Sequence, residues 1–359
     1  RNINIDYEKI KKNIYGKIIL ATGAGGSIGS ELVRQIVQQI PYKIILIDNN
    51  EYSLYKIESE ILENPLIEEQ KLQVVTILTS VQHYENLEYI FKKHKPDIVY
   101  HAAAYKHVPM LETNVIETIK NNVFGTLNII KLCYNFDVEQ FVLISTDKAV
   151  RPLNMMGASK RISEICAQIY NSKKAKKTKY SIIRFGNVIG SNGSVIPLFN
   201  YQIQKGGPLT LTHQDITRYF MLIPEAVGLV LQSSYLTVGG EVFVLKMGKP
   251  IKIYDIAKKM IQLHGYTEKN KANPNGDIEI KIIGLRPGEK MHEELLIGNN
   301  PTDTSHPDIM MALEKMPDEI VFDNFLKKLE ICCEKFEITN IKNLIKENIE
   351  GLENYNSIE

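Results

Sequence analysis

Nine residues, Thr22 to Ser30 (TGAGGSIGS), constrain this chain more than any other stretch. They follow a short β-rich run, Lys17 to Thr22 (KIILAT), and open a segment with helical spacing, Ser27 to Ile40. Gly23, Gly26 and Gly29 fall at GxxGxxG spacing. In a strand–turn–helix unit the first glycine permits a tight turn, the second lets backbone approach a pyrophosphate, and the third lets helix pack on strand. The helix N-terminus then offers N–H donors and partial positive charge. Glycines alone would also suit an ordinary turn; the flanking strand and helix select the dinucleotide loop, made of Thr22, Gly23, Gly26, Ser27, Ile28 and Gly29.

Asp48 ends the second buried run, Lys43 to Asp48 (KIILID), about twenty residues beyond the glycines. A carboxylate there accepts hydrogen bonds from the adenosine ribose and repels a 2′-phosphate. Asn49, Asn50 and Glu51 follow with no nearby arginine, so NAD is expected over NADP. The other reading of Asp48 is a strand-end cap for the next helix.

Further strands are expected at Gln73–Leu78, Asp97–Ala102, Gln140–Ser145 and Tyr180–Phe185, each separated by a helix-length segment. Strands alternating with helices imply right-handed crossovers, hence an α/β fold: a Rossmann-like, doubly wound parallel sheet. After Phe185 glycines and Pro208 punctuate shorter elements. The expected division is a dinucleotide-binding domain at 1–186, a smaller mixed substrate lobe at 187–308 and a charged helical tail at 309–359 that forms a surface helix pair. The lysine-rich stretch Lys173–Lys179 reads as a solvated loop.

Leu143 to Lys160 (LISTDKAVRPLNMMGASK) is a polar cluster at the end of a buried strand, where open α/β sheets bind ligands. It carries Thr146, Asp147 and Lys148, then a turn through Pro152, then a helix presenting Met156 and Lys160 one turn apart. An acid and an amine stand side by side; a surface ion pair in a turn is the alternative.

With 43 basic and 42 acidic residues the net charge is +1, which argues against a general nucleic-acid binder. Cys133, Cys166, Cys332 and Cys333 show no CxxC spacing, so buried thiols in a reducing compartment are expected rather than a metal site or disulfides. No apolar run is long enough to span a membrane, and the amino terminus is too polar for a signal peptide. The chain begins at Arg1 rather than a methionine, which leaves open what precedes it.

The glycine loop, HAAAYKHVPMLE, STDKAVRPLNMMGASKR, RFGNVIGSNGSVIPLF, GGPLTLT with TRYFM, and GLRPGEKMHEELL together resemble the extended short-chain dehydrogenase/reductase family. Within it they are most similar to the nucleotide-sugar 4,6-dehydratases of polysaccharide and glycan synthesis, the UDP-N-acetylglucosamine type. The resemblance runs from Gly16 to about Pro307. It implies NAD as cofactor, a UDP-sugar as substrate, and cofactor contacts from Ala102, Ala103 and Lys160. Two positions depart from the general pattern. Met156 stands where the family's YxxxK tyrosine takes the C4 hydroxyl proton, although methionine is usual in the membrane-linked branch. Thr79 to Gln82 (TSVQ) replaces an adenine-facing aspartate, leaving Ser80 or backbone for that contact.

The implied reaction oxidises C4, eliminates water across C5 and C6, and returns the hydride to C6. Elimination requires an acid near the C6 hydroxyl and a base near C5. Asp147 is expected as the acid and Lys148 as the base, with burial and Lys160 keeping Lys148 partly neutral. Thr146 is expected as the hydroxyl partner of the C4 oxygen, with the C4 proton leaving through Thr146 to Asp147 or through an ordered water. By resemblance Asn187, Arg286 and Arg218 contact the diphosphate, Glu289 orients Arg286 or holds the uridine ribose, and Lys106 reaches cofactor or sugar. His107 receives no catalytic role and no metal is expected. Subunits of the family pair through helices that here run from about Glu112 to Tyr134 and Met156 to Ser172, implying a homodimer or higher homo-oligomer. The membrane-linked branch implies a cytoplasmic domain of an inner-membrane protein with a membrane-spanning region before Arg1. Two other functions fit parts of the pattern: a nucleotide-sugar 4-epimerase, which needs no acid–base pair at C5 and C6, and an inactive NAD-binding regulator, supported by Met156.

Overall fold

The computed structural model describes residues 3–173, 177–295, 301–312 and 314–352. The period-2 and period-3.6 segments alternate as expected. Strands β1 (Ile18–Thr22), β2 (Lys43–Asp48), β3 (Gln73–Leu78), β4 (Ile98–His101), β5 (Gln140–Thr146) and β6 (Lys179–Phe185) are all parallel. The sheet continues through β7 (Val242–Leu245), parallel to β6, then antiparallel β9 (Ile309–Ala312) and, at the edge, β8 (Thr302–Asp303). The strand order is 8-9-7-6-5-4-1-2-3, so the winding direction reverses between β1 and β4. A crevice opens at the carboxyl ends of the strands at such a reversal.

Both faces are apolar because successive side chains alternate. Leu20, Ile45, Val99, Phe141 and Leu143 face one core layer; Ile19, Ile44, Ile98 and Val142 face the other. The first layer packs on helices Thr126–Asn135 and Met155–Ser172, the second on Ser27–Val37 and Ile223–Leu236. A separate small core, including Phe199, Leu209, Leu211, Ala257 and Ile278, holds the second lobe together.

The chain expected to form one lobe from 187 to 308 is divided. Ile223–Leu236 and β7 return to the main sheet, because this helix buries every residue from Ala226 to Ser234 and needs cover on more than one side. The tail also differs from a surface pair. Helices Glu319–Glu334 and Ile338–Asn348 bury Phe322, Phe325, Leu329, Cys333, Ile341 and Ile345 in the first core layer. Helix Met155–Ser172 is buried from 155 to 169 apart from Arg161, within a single chain. The stripes on the helices expected to join subunits thus share a core with the tail helices. All four cysteines are buried and free. Part of the lysine-rich stretch, residues 174–176, lies outside the described residues. Among the described residues no helix is long and apolar enough to cross a membrane.

Candidate active site

The glycine loop joins β1 to helix Ser27–Val37, whose first residue follows Gly26. Gly23 has φ +65°, and a Cβ there would lie 2.7 Å from the Ala103 nitrogen. A Cβ on Gly29 would collide with the Gly23 carbonyl oxygen. The loop therefore leaves bare backbone and a helix N-terminus facing the crevice, which fits a pyrophosphate. Asp48 accepts from the Gly25 and Asn50 nitrogens, both at 2.9 Å, so its carboxylate fixes the loop. Thr22 is fully buried and turned away from the crevice: its Oγ1 lies 2.7 Å from His101 Nδ1 and accepts from the Ala103 nitrogen. Burial, then Lys160, depresses the His101 pKa to about 3, so this ring is a neutral strut that also meets Thr126. Ser80, suggested for the adenine, accepts from the Gln82 nitrogen and shapes its own turn.

The second half of the site grows from β5. The strand ends at Thr146, and a single 3-10 turn, Asp147–Ala149, carries the acid and the amine. Asn154 then caps helix Met155–Ser172 by accepting from the Gly157 nitrogen at 2.8 Å. That cap sets the phase of the helix and turns Met156 and Lys160 toward the strand end. Lys160 Nζ donates to the Ile144 carbonyl at 2.6 Å, and burial, partly offset by Glu164, lowers its pKa to about 8. Behind it Ser145 and the buried Arg184 both donate to Glu164.

Thr146 Oγ1 and Lys148 Nζ each donate to Asp147 Oδ1 at 2.9 Å. Lys148 Nζ also donates to Asn187 Oδ1 at 3.0 Å, which places Asn187 at the amine. Asp147 is wholly buried, and its Oδ2 has no hydrogen-bond partner among the described residues. A cavity of about 1030 Å³ runs from the glycine loop across this cluster to the second lobe; Thr146, Lys148, Met156 and Lys160 line it. Asp147 stands behind them.

The expectation that Lys148 would be partly neutral is overturned. Burial does press its pKa down, but the Asp147 and Glu293 charges outweigh burial and raise it above the ordinary lysine value. The cation that most opposes the charge is Arg218. Lys148 is an ammonium in the free site.

On the substrate side Arg286 is exposed at the cavity, while Arg218 is nearly buried. Glu289 receives Arg218 Nη2 at 3.2 Å and Thr212 Oγ1 at 3.1 Å on one oxygen, and the Arg286 backbone nitrogen at 3.1 Å on the other. It thus orients the Arg218 guanidinium and folds the loop bearing Arg286. Lys106 lines the cavity with its pKa lowered by burial. His107 packs under Gly193, where a Cβ would strike its ring. Glu293 was not anticipated. It lies buried behind Lys148, and only its place in the MHEELL string, adjoining the arginine-bearing loop, hinted at a role. Asn122 was also missed: it donates to Ser159 Oγ and the Tyr105 carbonyl, both at 3.0 Å, and ties the 105–107 loop to the Met156 helix.

A reversal-point glycine loop, a helix after the strand-end cluster that carries Lys160 one turn beyond Met156, and a second lobe across the crevice define an extended short-chain dehydrogenase/reductase. The chain belongs to the family described as "Polysaccharide biosynthesis protein", which matches residues 19–314. It is 48% identical over 297 residues to "Capsular polysaccharide biosynthesis protein CapD" of Staphylococcus aureus, covering 83% of this chain and 48% of that protein. It thus spans about half the length of that relative. It is 33% identical over 294 residues to "UDP-N-acetylglucosamine 4,6-dehydratase (inverting)" of Campylobacter jejuni serotype O:23/36, covering 81% and 79%. Among solved structures, Pen from Bacillus thuringiensis superposes with a TM-score of 0.74 at 30% identity, covering 83% of this chain and 89% of that one.

Proposed function

We propose that this chain is an NAD-dependent 4,6-dehydratase of a UDP-N-acetylhexosamine, with UDP-N-acetylglucosamine as substrate and the 4-keto-6-deoxy sugar as product. The observation that carries the reading is the Thr146–Asp147–Lys148 cluster opening onto the same cavity as the glycine loop. An epimerase has no use for such a pair. The Campylobacter relative of that printed activity supports the sugar. NAD fits the loop, whose backbone a Cβ at Gly23 or Gly29 would disrupt; Gly26, Ser27, Ile28 and Ala102, which face the same space, with Ala103 beside Gly23, would hold it, and Lys160 would serve the nicotinamide ribose. When bound, NAD supplies reversible hydride acceptance at C4 and its return to C6.

The chain's own groups move the protons. Thr146 takes the C4 hydroxyl proton as it passes its own along the 2.9 Å bond to Asp147, replacing the tyrosine that Met156 has vacated. Asp147 thereby becomes the neutral acid. Lys148, the member of the pair that lines the cavity, gives a proton to the departing C6 oxygen. In the same event the amine so formed takes the C5 proton, and the C5–H electron pair becomes the C5–C6 double bond as the C6–O bond breaks and water leaves. It returns a proton to C5 and is recharged from Asp147, so both groups end as they began. Arg286 and Arg218 face the diphosphate, with Glu289 holding Arg218 in place.

Incubation with UDP-N-acetylglucosamine and NAD, followed by mass analysis of the sugar nucleotide, tests the reading. Loss of one water without net NAD reduction is expected. Unchanged mass with a new C4 epimer would make the chain an epimerase, and absence of turnover would leave a cofactor-binding regulator.

A further inference from the structure

Glu293 lies on the segment that follows the arginine-bearing loop of the second lobe, far in sequence from β5. Its Oε1 nevertheless stands 3.7 Å from Lys148 Nζ and 3.8 Å from Arg218 Nε. Its Oε2 is buried and, among the described residues, has no hydrogen-bond partner. A buried acid with a purely architectural role is normally saturated with donors, since each unsatisfied oxygen costs free energy. Here one oxygen is left bare and the other meets two cations at distances longer than a hydrogen bond. We propose that Glu293 is a positioning residue for the elimination: its buried carboxylate, opposite Asp147, holds the Lys148 ammonium charged at the cavity wall and couples it to Arg218.

The donor count supports this. An ammonium has three protons, and Lys148 directs two of them to Asp147 and Asn187. Glu293 at 3.7 Å stabilises the charge without capturing the third, which stays available to the substrate. The charged groups that act most on Glu293 are Lys148, Asp147, Arg218 and Lys290. Burial raises the proton affinity of Glu293, Asp147 raises it further, and the three cations oppose both. Two buried carboxylates thus share the field of one lysine. Neutralising Glu293 removes one of the two charges that keep Lys148 protonated. Because Arg218 meets the same oxygen, a diphosphate drawing on Arg218 alters the charge felt by Lys148.

The inference rests on the dehydratase reading, and the test separates the two. Glu293→Gln and Glu293→Asp are compared with wild type in the NAD-loaded chain, using UDP-N-acetylglucosamine and a full pH profile of kcat and KM. For Glu293→Gln a fall in kcat of roughly 10- to 100-fold is expected, with KM little changed and the alkaline limb of the profile moved down by about one pH unit. Glu293→Asp should recover part of the rate. Unchanged kcat with an unmoved limb would overturn the role, as would a lower kcat accompanied only by a lower melting temperature. Wild type that loses no water sinks the dehydratase reading instead. The Glu293 inference then stands or falls on the pH dependence of Lys148 acylation, read by peptide mass: a shift in Glu293→Gln supports it and identical curves reject it.

Discussion

The Asp147 carboxylate and the Lys148 ammonium meet at 2.9 Å, the acid wholly buried and the amine at the cavity wall. Charge separation is therefore built into the free protein before any substrate arrives. Asp147→Asn retains the shape but cannot take up a proton, and Lys148→Ala removes the group that reaches the cavity. Each is expected to lower the rate of water loss by about 10²- to 10⁴-fold while NAD still binds. Sugar mass and calorimetric titration with NAD read the two effects, and full activity in either variant would remove the assignment. Lys148→Ala also leaves a buried carboxylate without its main partner, so its melting temperature should fall further than that of Asp147→Asn.

Met156 lines the cavity yet is only 5% exposed, and its thioether transfers no proton. If Thr146 and Asp147 relay the C4 proton, Met156→Ala leaves kcat within about tenfold of wild type, whereas Thr146→Val, which removes the relay hydroxyl, lowers it by about 10²-fold or more. Steady-state rates at one pH decide between them. A larger loss from Met156→Ala than from Thr146→Val would move the relay elsewhere.

Much of this architecture is legible in the sequence, for reasons that differ by element. β2 is found at its observed bounds because a buried parallel strand is a continuous apolar run, and β3, a half-exposed edge strand, because its β-branched residues Val74 to Ile77 mark an extended run. The strand-end cluster is legible because Thr146, Asp147 and Lys148 are adjacent in the chain. Glu293 meets Lys148 only after the second lobe folds over the sheet, and Glu289 meets Arg218 within that lobe but far along the chain; no local spacing encodes either contact. The same limit explains the tail. Its charged outer faces mark the solvent side of helix Glu319–Glu334, but not which core Phe325 and Leu329 enter.

Gly29 offers a test of the loop alone. A methyl there would occupy the place of the Gly23 carbonyl oxygen, which is backbone and cannot swing aside. Gly29→Ala is expected to abolish NAD binding and lower stability by about 2 kcal/mol or more, whereas Ile28→Val at the same helix start should do neither. Isothermal titration with NAD and a urea melt give the two readouts.

Lys160 makes stability depend on alkaline pH. In the cofactor-free fold burial lowers its pKa from 10.5 to about 8. Between those values the unfolded chain carries a proton that the folded chain lacks, so stability rises as pH climbs through the window. The gain amounts to roughly 3 kcal/mol at most. Lys160→Met should abolish it and be the more stable protein near neutrality. Urea melts of both proteins across the window, compared by difference, check the sign; parallel curves would mean that Lys160 keeps its ordinary affinity.

Phe325 on helix Glu319–Glu334 is 3% exposed and lies in the same core layer as Ile130 and Ile162, beside the Met156 helix. Asp323 on that helix is close enough to Cys166 and Tyr170 to raise both their pKa values, though burial does most of it. At the other end Lys120 sits over the Phe336 ring. These contacts make the tail part of the domain that carries the active site. Phe325→Ala should therefore cost about 3–5 kcal/mol of the whole domain's stability and shift one cooperative transition, with activity and core fluorescence lost together. A tail that served only as a surface appendage would melt separately and leave the enzyme's own transition in place. Subunit pairing through helix Met155–Ser172 would require the tail to move, so wild type and Phe325→Ala should differ in solution mass if that face joins subunits. Light scattering on both proteins reads this directly: an increase in mass for Phe325→Ala marks the face as a pairing surface covered by the tail, and equal masses mark it as core alone.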